Sequence, residues 1–375
     1  MLHKINYLTL ACALLLSLGV LPAQEEENGA APPAADPVLT EKDEESIYEA
    51  TDVVDATDYV LSAALACEPK ILLSFPKKAS LSDAKKLATV LSDHRLAFYY
   101  TYNAYKKGKL NVVEINPKYT SCVRMIRYLH APDSVKLRPK EKAALEKARE
   151  VLRSLALEGR SNKEKAALIH DWIVENCAYD MPGLRRGFSH YKNTERYSPY
   201  DGKYMILENK GVCDSYSQAY WLMLQMTDVP SCMIFGATKR GKHCWNLVYM
   251  DDHWGHVDTT WDDPIPDQPG RVLHRYFDLE DKEISKDHKW KKNFFSSDHQ
   301  VLKYEAVSEF IAFLKKQRKK SPSYTVIIAE APDSEKFMEL AEEEAKKVGI
   351  REKITASPDV IFPNALRIRI QKGKR

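Results

Sequence analysis

Apolar residues recur at intervals of three and four along several stretches of this chain, with short apolar or alternating runs between them. The stretch 47–66 has the helical period, as does the run opening at Ser82, which lines up Leu87, Ala88 and Leu91. Between them, 71–75 is a short apolar strand. Residues 96–102 and 110–115 are rich in aromatic and β-branched side chains and flank the turn-like Lys106-Lys107-Gly108-Lys109, which predicts paired strands. Residues 46–135 are therefore expected to form a small α/β unit. Its tyrosines, Tyr99, Tyr100, Tyr102 and Tyr105, fit packing on a half-buried sheet better than a ligand groove.

Pro139 opens a second helical pattern, in which Ala144, Leu145, Ala148, Val151, Leu152 and Leu155 form a stripe that Gly159 ends. Ser161 followed by Glu164 has the spacing of a capping box. The helix behind it buries Leu168, Ile169, Trp172 and Ile173, with His170 read as a structural neighbour of that stripe. Residues 176–210 carry Pro182, Gly183, Gly187, Pro199 and Gly202 and many aromatics, among them Tyr179, Phe188, Tyr191, Tyr197, Tyr200 and Tyr204. They are expected to be a loop that walls a substrate cleft. Then 213–226 is a buried helix, and 231–238, 243–250 and 254–259 are three strands whose short connections make an antiparallel meander. Further on, 305–317 and 334–348 read as helices and 324–329 and 365–370 as strands, so 301–375 is expected to be a β-α-β unit without chemistry of its own.

The 375 residues suffice for two or three domains. With 56 basic and 53 acidic residues the net charge is only +3, and the basic clusters are interleaved with acidic residues, so nucleic acid is not an expected partner. Lys4, the apolar run 8–21 and Leu21-Pro22-Ala23 read as a signal peptide over 1–23, which predicts an exported protein, periplasmic or extracellular. That run is too short to span a bilayer, and no other stretch is long enough, so no transmembrane segment is expected in the mature chain. Acylation at Cys12, as in a lipoprotein, is the less favoured alternative because the apolar run continues past it. The acidic, Ala- and Pro-rich stretch 24–45 reads as a disordered tether. Six further cysteines remain, and spacing alone assigns no disulfide. There is no CxxC pair and no HExxH, so neither a metal nor a cofactor is expected.

The chemistry concentrates around Gly211-Val212-Cys213. Gly211 is expected to permit a tight approach with unusual dihedrals. Cys213 then falls in the first turn of the buried helix, where the positive end of the dipole and free backbone N–H groups favour a thiolate and can hold an oxyanion. A cysteine alone would more often be inert. His243 lies near the start of the second strand and Asp258 near the end of the third. An antiparallel pair brings those two positions together, so the aspartate can fix one imidazole nitrogen and leave the other for the thiol.

Gly-Val-Cys-Asp-Ser-Tyr-Ser-Gln-Ala-Tyr from Gly211, His-Cys-Trp-Asn-Leu-Val from His243 and Val-Asp-Thr-Thr-Trp-Asp-Asp-Pro from Val257 together resemble the transglutaminase-like superfamily, most of all its bacterial exported members. So do the helix around His170 and the tail from Tyr276 to Trp290. The resemblance covers about 160–290. It implies an α+β, papain-like core over 136–300, with Cys213 as nucleophile, His243 as base and acid, and Asp258 as orienting carboxylate. Cys244 stands where a small residue is expected, and strand alternation predicts that it points away from His243, buried and inert. Tyr200, Tyr204, Trp245, Asn246 and Trp261 are the candidates for cleft walls or a second oxyanion donor. The function implied is thioester-forming attack on an amide bond of a protein or peptide, followed by hydrolysis or transfer to an amine. The competing reading is a non-catalytic module that holds a peptide or envelope partner in the same cleft. Oligomeric state is left open.

Overall fold

The computed structural model describes residues 47–375 except 51–52, 75–80, 192–196, 269, 292–300, 304–307, 309–310, 313–314, 316–325, 330–333, 351–352, 359–365 and 372–375. The expected signal peptide and tether therefore lie outside the described residues, as does most of the helix expected over 305–317. Among the described residues, no helix is long and apolar enough to cross a membrane.

The chain begins with β1 (Tyr48–Glu49), α1 (Val53–Leu65), β2 (Ile71–Ser74), α2 (Leu81–Asp93), β3 (Ala97–Lys107) and β4 (Leu110–Tyr119). These strands form a four-stranded sheet in the order β1-β2-β4-β3, with β1 parallel to β2 and the rest antiparallel. Tyr48 and Glu49, expected inside a helix, instead pair with Leu73 and Ser74. Helix α3 (Ser121–His130) follows, capped by the Thr120 hydroxyl, which accepts from the Val123 N–H. Next come α4 (Pro139–Ser154) and α5 (Asn162–Asn176), the latter closed by the Ser161/Glu164 capping box expected from the spacing.

The stretch expected to be loop is partly ordered into β5 (Ala178–Tyr179), α6 (Met181–Arg186), α7 (Phe188–Tyr191), α8 (Gly202–Glu208) and β6 (Lys210–Gly211). Asp201 starts α8 by accepting from the Lys203 N–H, a capping signal hidden among glycines and aromatics. Then α9 (Cys213–Gln225) leads into β7 (Ser231–Thr238), β8 (Gly241–Met250) and β9 (His253–Val257), an antiparallel meander that β10 (His288–Trp290) extends at the β7 edge. Between β9 and β10 lie the short α10 (Thr259–Asp262) and α11 (Asp281–Ile284). The remainder comprises β11 (Val301–Lys303), β12 (Val326–Ala329), α12 (Ser334–Lys347), β13 (Lys353–Pro358) and β14 (Leu366–Gln371), in a sheet of order β11-β12-β14-β13. This differs from a plain β-α-β unit by the strands β11 and β13. The whole is an α+β fold, as expected.

All thirteen residues of α9 are buried. A helix buried on every side must satisfy its polar side chains internally, since an unmet buried group costs about 1–3 kcal/mol. Gln218 bonds the Tyr200 carbonyl and accepts from the Gly202 N–H, Trp221 and Gln225 bond the Ser231 carbonyl, and Tyr220 bonds the Ala166 carbonyl. These bonds pin α9 to α8, β7 and α5. Around it runs one hydrophobic cluster that includes Leu61 and Val113 from the N-terminal sheet region as well as Ile169, Leu222 and Val248. Buried Lys203 joins α8 to α3 through Asp201 at 2.5 Å and Ser121 at 3.0 Å.

Gly236 lets β10 close over β7. A Cβ there would meet the Lys289 carbonyl oxygen at 2.3 Å and the Trp245 ring at 2.7 Å. The carbonyl belongs to a paired strand and cannot yield cheaply. Gly236→Ala is expected to destabilise the fold by about 1–3 kcal/mol, read as a lower urea midpoint with an unchanged slope.

Candidate active site

Gly211 does not have a positive φ, contrary to the expectation of unusual dihedrals. It is small because a Cβ would meet Ser215 Oγ at 1.8 Å and the Pro199 carbonyl oxygen at 3.1 Å. The chain can thus turn hard into α9. Val212 is the N-cap residue and offers no side-chain bond to the first turn of the helix where Cys213 sits.

His243 Nε2 lies 2.6 Å from Asp258 Oδ2, which leaves Nδ1 for Cys213. Asp258 is not at a strand end as expected. Strand β9 stops at Val257, and Asp258 caps α10 by accepting from the Thr260 and Trp261 N–H groups with Oδ1. Its Oδ2 also meets His288 Nε2 at 3.1 Å, and His288 Nδ1 in turn meets Asp287 at 2.6 Å. One buried carboxylate therefore organises two histidines and a helix start. His288 lies in the tail from Tyr276 to Trp290 that resembles the family, but the sequence assigns it no role of its own.

Strand alternation does place Cys244 opposite His243, but that face looks onto the first turn of α9. The Cys244 thiol donates to Asp214 Oδ1 at 3.4 Å, and the Cys213 sulfur, the Cys244 sulfur and an Asp214 oxygen all lie within 4.8 Å of one another. Cys244 is thus a neighbour of the nucleophile candidate, not a remote filler. Arg95, from the turn between α2 and β3, approaches Asp214 Oδ1 with Nε at 3.2 Å and lies over the Phe235 ring at 4.0 Å. No pattern around Arg95 marks it, because its partners lie over a hundred residues away.

The other candidates separate. Tyr200 is half-buried near the thiol, its hydroxyl at 3.5 Å from the Leu184 carbonyl oxygen, and Trp261 is half-buried with its ring 5.7 Å from that of His243. Tyr204 is inside the protein, near Lys140 and Tyr197, and does not wall a cleft. Trp245 is also interior: it packs behind the imidazole at 6.0 Å and donates its N–H to His256 Nδ1. Asn246 faces α9, bonding the Ser217 carbonyl at 3.1 Å, so its amide is turned from the thiol. Tyr179, one of the aromatics in the stretch expected to be loop, has its hydroxyl against the Cys213 backbone N–H. His170 is buried between Asp171 and Asp262, as a structural histidine would be.

Residues 149–259 match the sequence model of the transglutaminase-like superfamily. The match begins within α4 and ends one residue beyond Asp258, so it spans Cys213, His243 and Asp258 but not Arg95 or His288. The kyphoscoliosis peptidase of Mus musculus is 25% identical over 130 residues, 32% of this chain and 18% of that protein. The kyphoscoliosis peptidase of Homo sapiens is 24% identical over 131 residues, with the same coverage. The chain thus matches less than a fifth of the length of these relatives. Among solved structures, a transglutaminase is similar with a TM-score of 0.31 at 12% identity, over 68% of this chain and 65% of its own. A cysteine-protease candidate from Cytophaga hutchinsonii gives 0.26 at 12% identity, over 47% and 65%.

Charge around Cys213 and His243 is arranged as an ion pair. The Cys244 hydrogen bond lowers the Cys213 thiol, burial opposes it, and His243 adds to the lowering, with a net value of about 6. Burial pulls His243 down, but Asp258 and Cys213 outweigh it and hold the imidazolium up to about 10. Burial likewise opposes ionisation of Asp258, and the two histidines overcome it, to about 2. The 480 Å³ depression lined by Leu129, Leu152 and Met226 includes none of these residues.

Thiolate forms as pH rises through about 6, and the imidazolium persists to about 10. Alkylation of Cys213 by iodoacetamide is therefore expected to rise with a midpoint near pH 6, and His243→Ala should move that midpoint toward the ordinary thiol value. Asp258→Ala is expected to cost about 3–5 kcal/mol near neutral pH, because it strips a buried carboxylate from two histidines. The depressed carboxyl contributes stability above its unfolded value and loses it as pH falls toward about 2, so the gap between variant and wild type in urea unfolding should narrow on acidification.

Proposed function

We propose that this protein is a cysteine enzyme that attacks amide bonds of proteins or peptides through a thioester. The observation that carries the reading is the hydrogen-bonded set Cys213, His243 and Asp258, with the thiol in the first turn of a buried helix whose N-cap residue makes no side-chain bond. The Cys213 thiolate adds to the amide carbonyl carbon, and helix N–H groups accept the charge that develops on oxygen. His243 gives its Nδ1 proton to the leaving nitrogen, and ammonia or an amine departs as the thioester forms. Water or an amine then attacks the thioester, loses its proton to His243 and releases Cys213. Asp258 keeps the ring in the orientation that presents Nδ1 to sulfur. Trp261 and Tyr200 are the half-buried aromatics positioned to shield the thioester from water.

The second reading, a non-catalytic peptide-holding module, is favoured by one observation: Cys213 is only 8% exposed. One experiment separates them. Wild type and Cys213→Ala are incubated with a glutamine-peptide pool, with and without a primary amine, and products are read by mass spectrometry. The expected result is amine adduct, deamidation or backbone cleavage in wild type, lowered by about 10³-fold or more in the variant. No product in either, with equal peptide retention by both, would establish the binding module instead.

A further inference from the structure

Cys244 has no part in the reaction proposed above, yet its thiol lies within 4.8 Å of Cys213, approaching from the interior side of β8. We propose that Cys244 is a resolving thiol, and that a peroxide-class oxidant converts the pair into a Cys213–Cys244 disulfide that switches the nucleophile off reversibly.

The chemistry balances in two steps. The Cys213 thiolate attacks one peroxide oxygen, the O–O bond breaks, hydroxide leaves, and sulfur is oxidised to the sulfenic acid. The Cys244 sulfur then attacks the Cys213 sulfur, the S–O bond breaks, and the Cys244 proton leaves with that oxygen as water. The two sulfur atoms, within 4.8 Å of each other, must close to about 2.0 Å for the bond to form. The division of labour follows burial: Cys213 is 8% exposed and open to a small oxidant, whereas Cys244 is 0% exposed and reachable only from Cys213.

The surroundings favour the second step. Before oxidation, burial, the Cys213 hydrogen bond and the charges of Asp214 and Cys213 hold the Cys244 proton on, while Arg95 works against them. Oxidation of Cys213 to a neutral sulfenic acid removes one of those negative charges and leaves Arg95 in place. The same guanidinium disfavours a metal at the two thiols and Asp214, since it already engages the carboxylate at 3.2 Å and would repel a cation.

The proposal uses the reading of Cys213 as a nucleophilic thiol, but the cross-link is read by mass whether or not an amide is ever turned over. The full chain is treated with stoichiometric hydrogen peroxide, blocked with N-ethylmaleimide, digested without reductant and mapped. The expected product is a peptide pair joined through Cys213 and Cys244. Iodoacetamide reactivity of Cys213 should fall at least tenfold and return with dithiothreitol. Cys244→Ser keeps a donor for Asp214 and should divert excess peroxide to a Cys213 sulfinic acid that dithiothreitol does not recover. Formation of sulfinic acid in wild type without the cross-link, or a cross-link from Cys213 to another cysteine, would overturn the proposal. If the cross-link fails while Cys213→Ala still abolishes amide turnover, the switch falls and the enzyme reading stands.

Discussion

Complete burial of α9 is the constraint on which the rest of the structure depends. A helix that carries Asp214, Ser215, Ser217, Gln218 and Gln225 into the interior is stable only if its surroundings answer those groups. The neighbouring elements do so with backbone as well as side chains. Tyr200 and Gly202 meet Gln218, Ser231 meets Gln225, and Asn246 meets the Ser217 carbonyl. The bonds to Ser231 and Asn246 also fix a distance between α9 and the sheet, and therefore between Cys213 and His243. Placement of the thiol is thus a by-product of satisfying a buried helix, which is why Gly202 and Gly211 have no space for a side chain.

Electrostatics follow from the same burial. In a dry interior a lone carboxylate would take up a proton, as Asp263 shows: burial raises its carboxyl to about 7 even though Tyr216 donates to it. Asp258 is more enclosed and yet goes the other way, because two histidines and two backbone N–H groups converge on its oxygens. The contrast identifies convergence of donors, not exposure, as what keeps the orienting carboxylate charged. His288 is part of that convergence, so β10 belongs to the electrostatics of the site although it lies outside the family match.

Local signals in the sequence made much of this legible. The Ser161/Glu164 box, the helix after Gly211 and the three-strand meander are encoded by neighbours in the chain, and they bring His243 to Asp258 by topology alone. What escaped was long-range. Tyr204, Trp245 and Asn246 have the same residue types as cleft-lining groups, and only packing decides that they turn inward. Strand alternation correctly sent Cys244 to the face opposite His243, but alternation says nothing about what covers that face. Tyr48 pairing with Leu73 is likewise invisible until its partner strand is in place.

Arg95 shows how far such long-range terms reach. Its guanidinium is drawn from the edge of the N-terminal sheet into contact with Phe235 and Asp214, at a backbone φ of 52° that a non-glycine residue adopts only under constraint. Burial alone would lower its hold on the proton, and the charges of Asp214, Cys244 and Cys213 more than offset this. Withdrawing the N-terminal sheet would therefore leave Asp214 buried beside two sulfurs without the Arg95 guanidinium, and would open the shared hydrophobic cluster at Leu61 and Val113. The N-terminal α/β region is in this sense a wall of the candidate site: with Arg95 it adds a positive charge, beside that of His243, that makes a thiolate and an aspartate tolerable side by side.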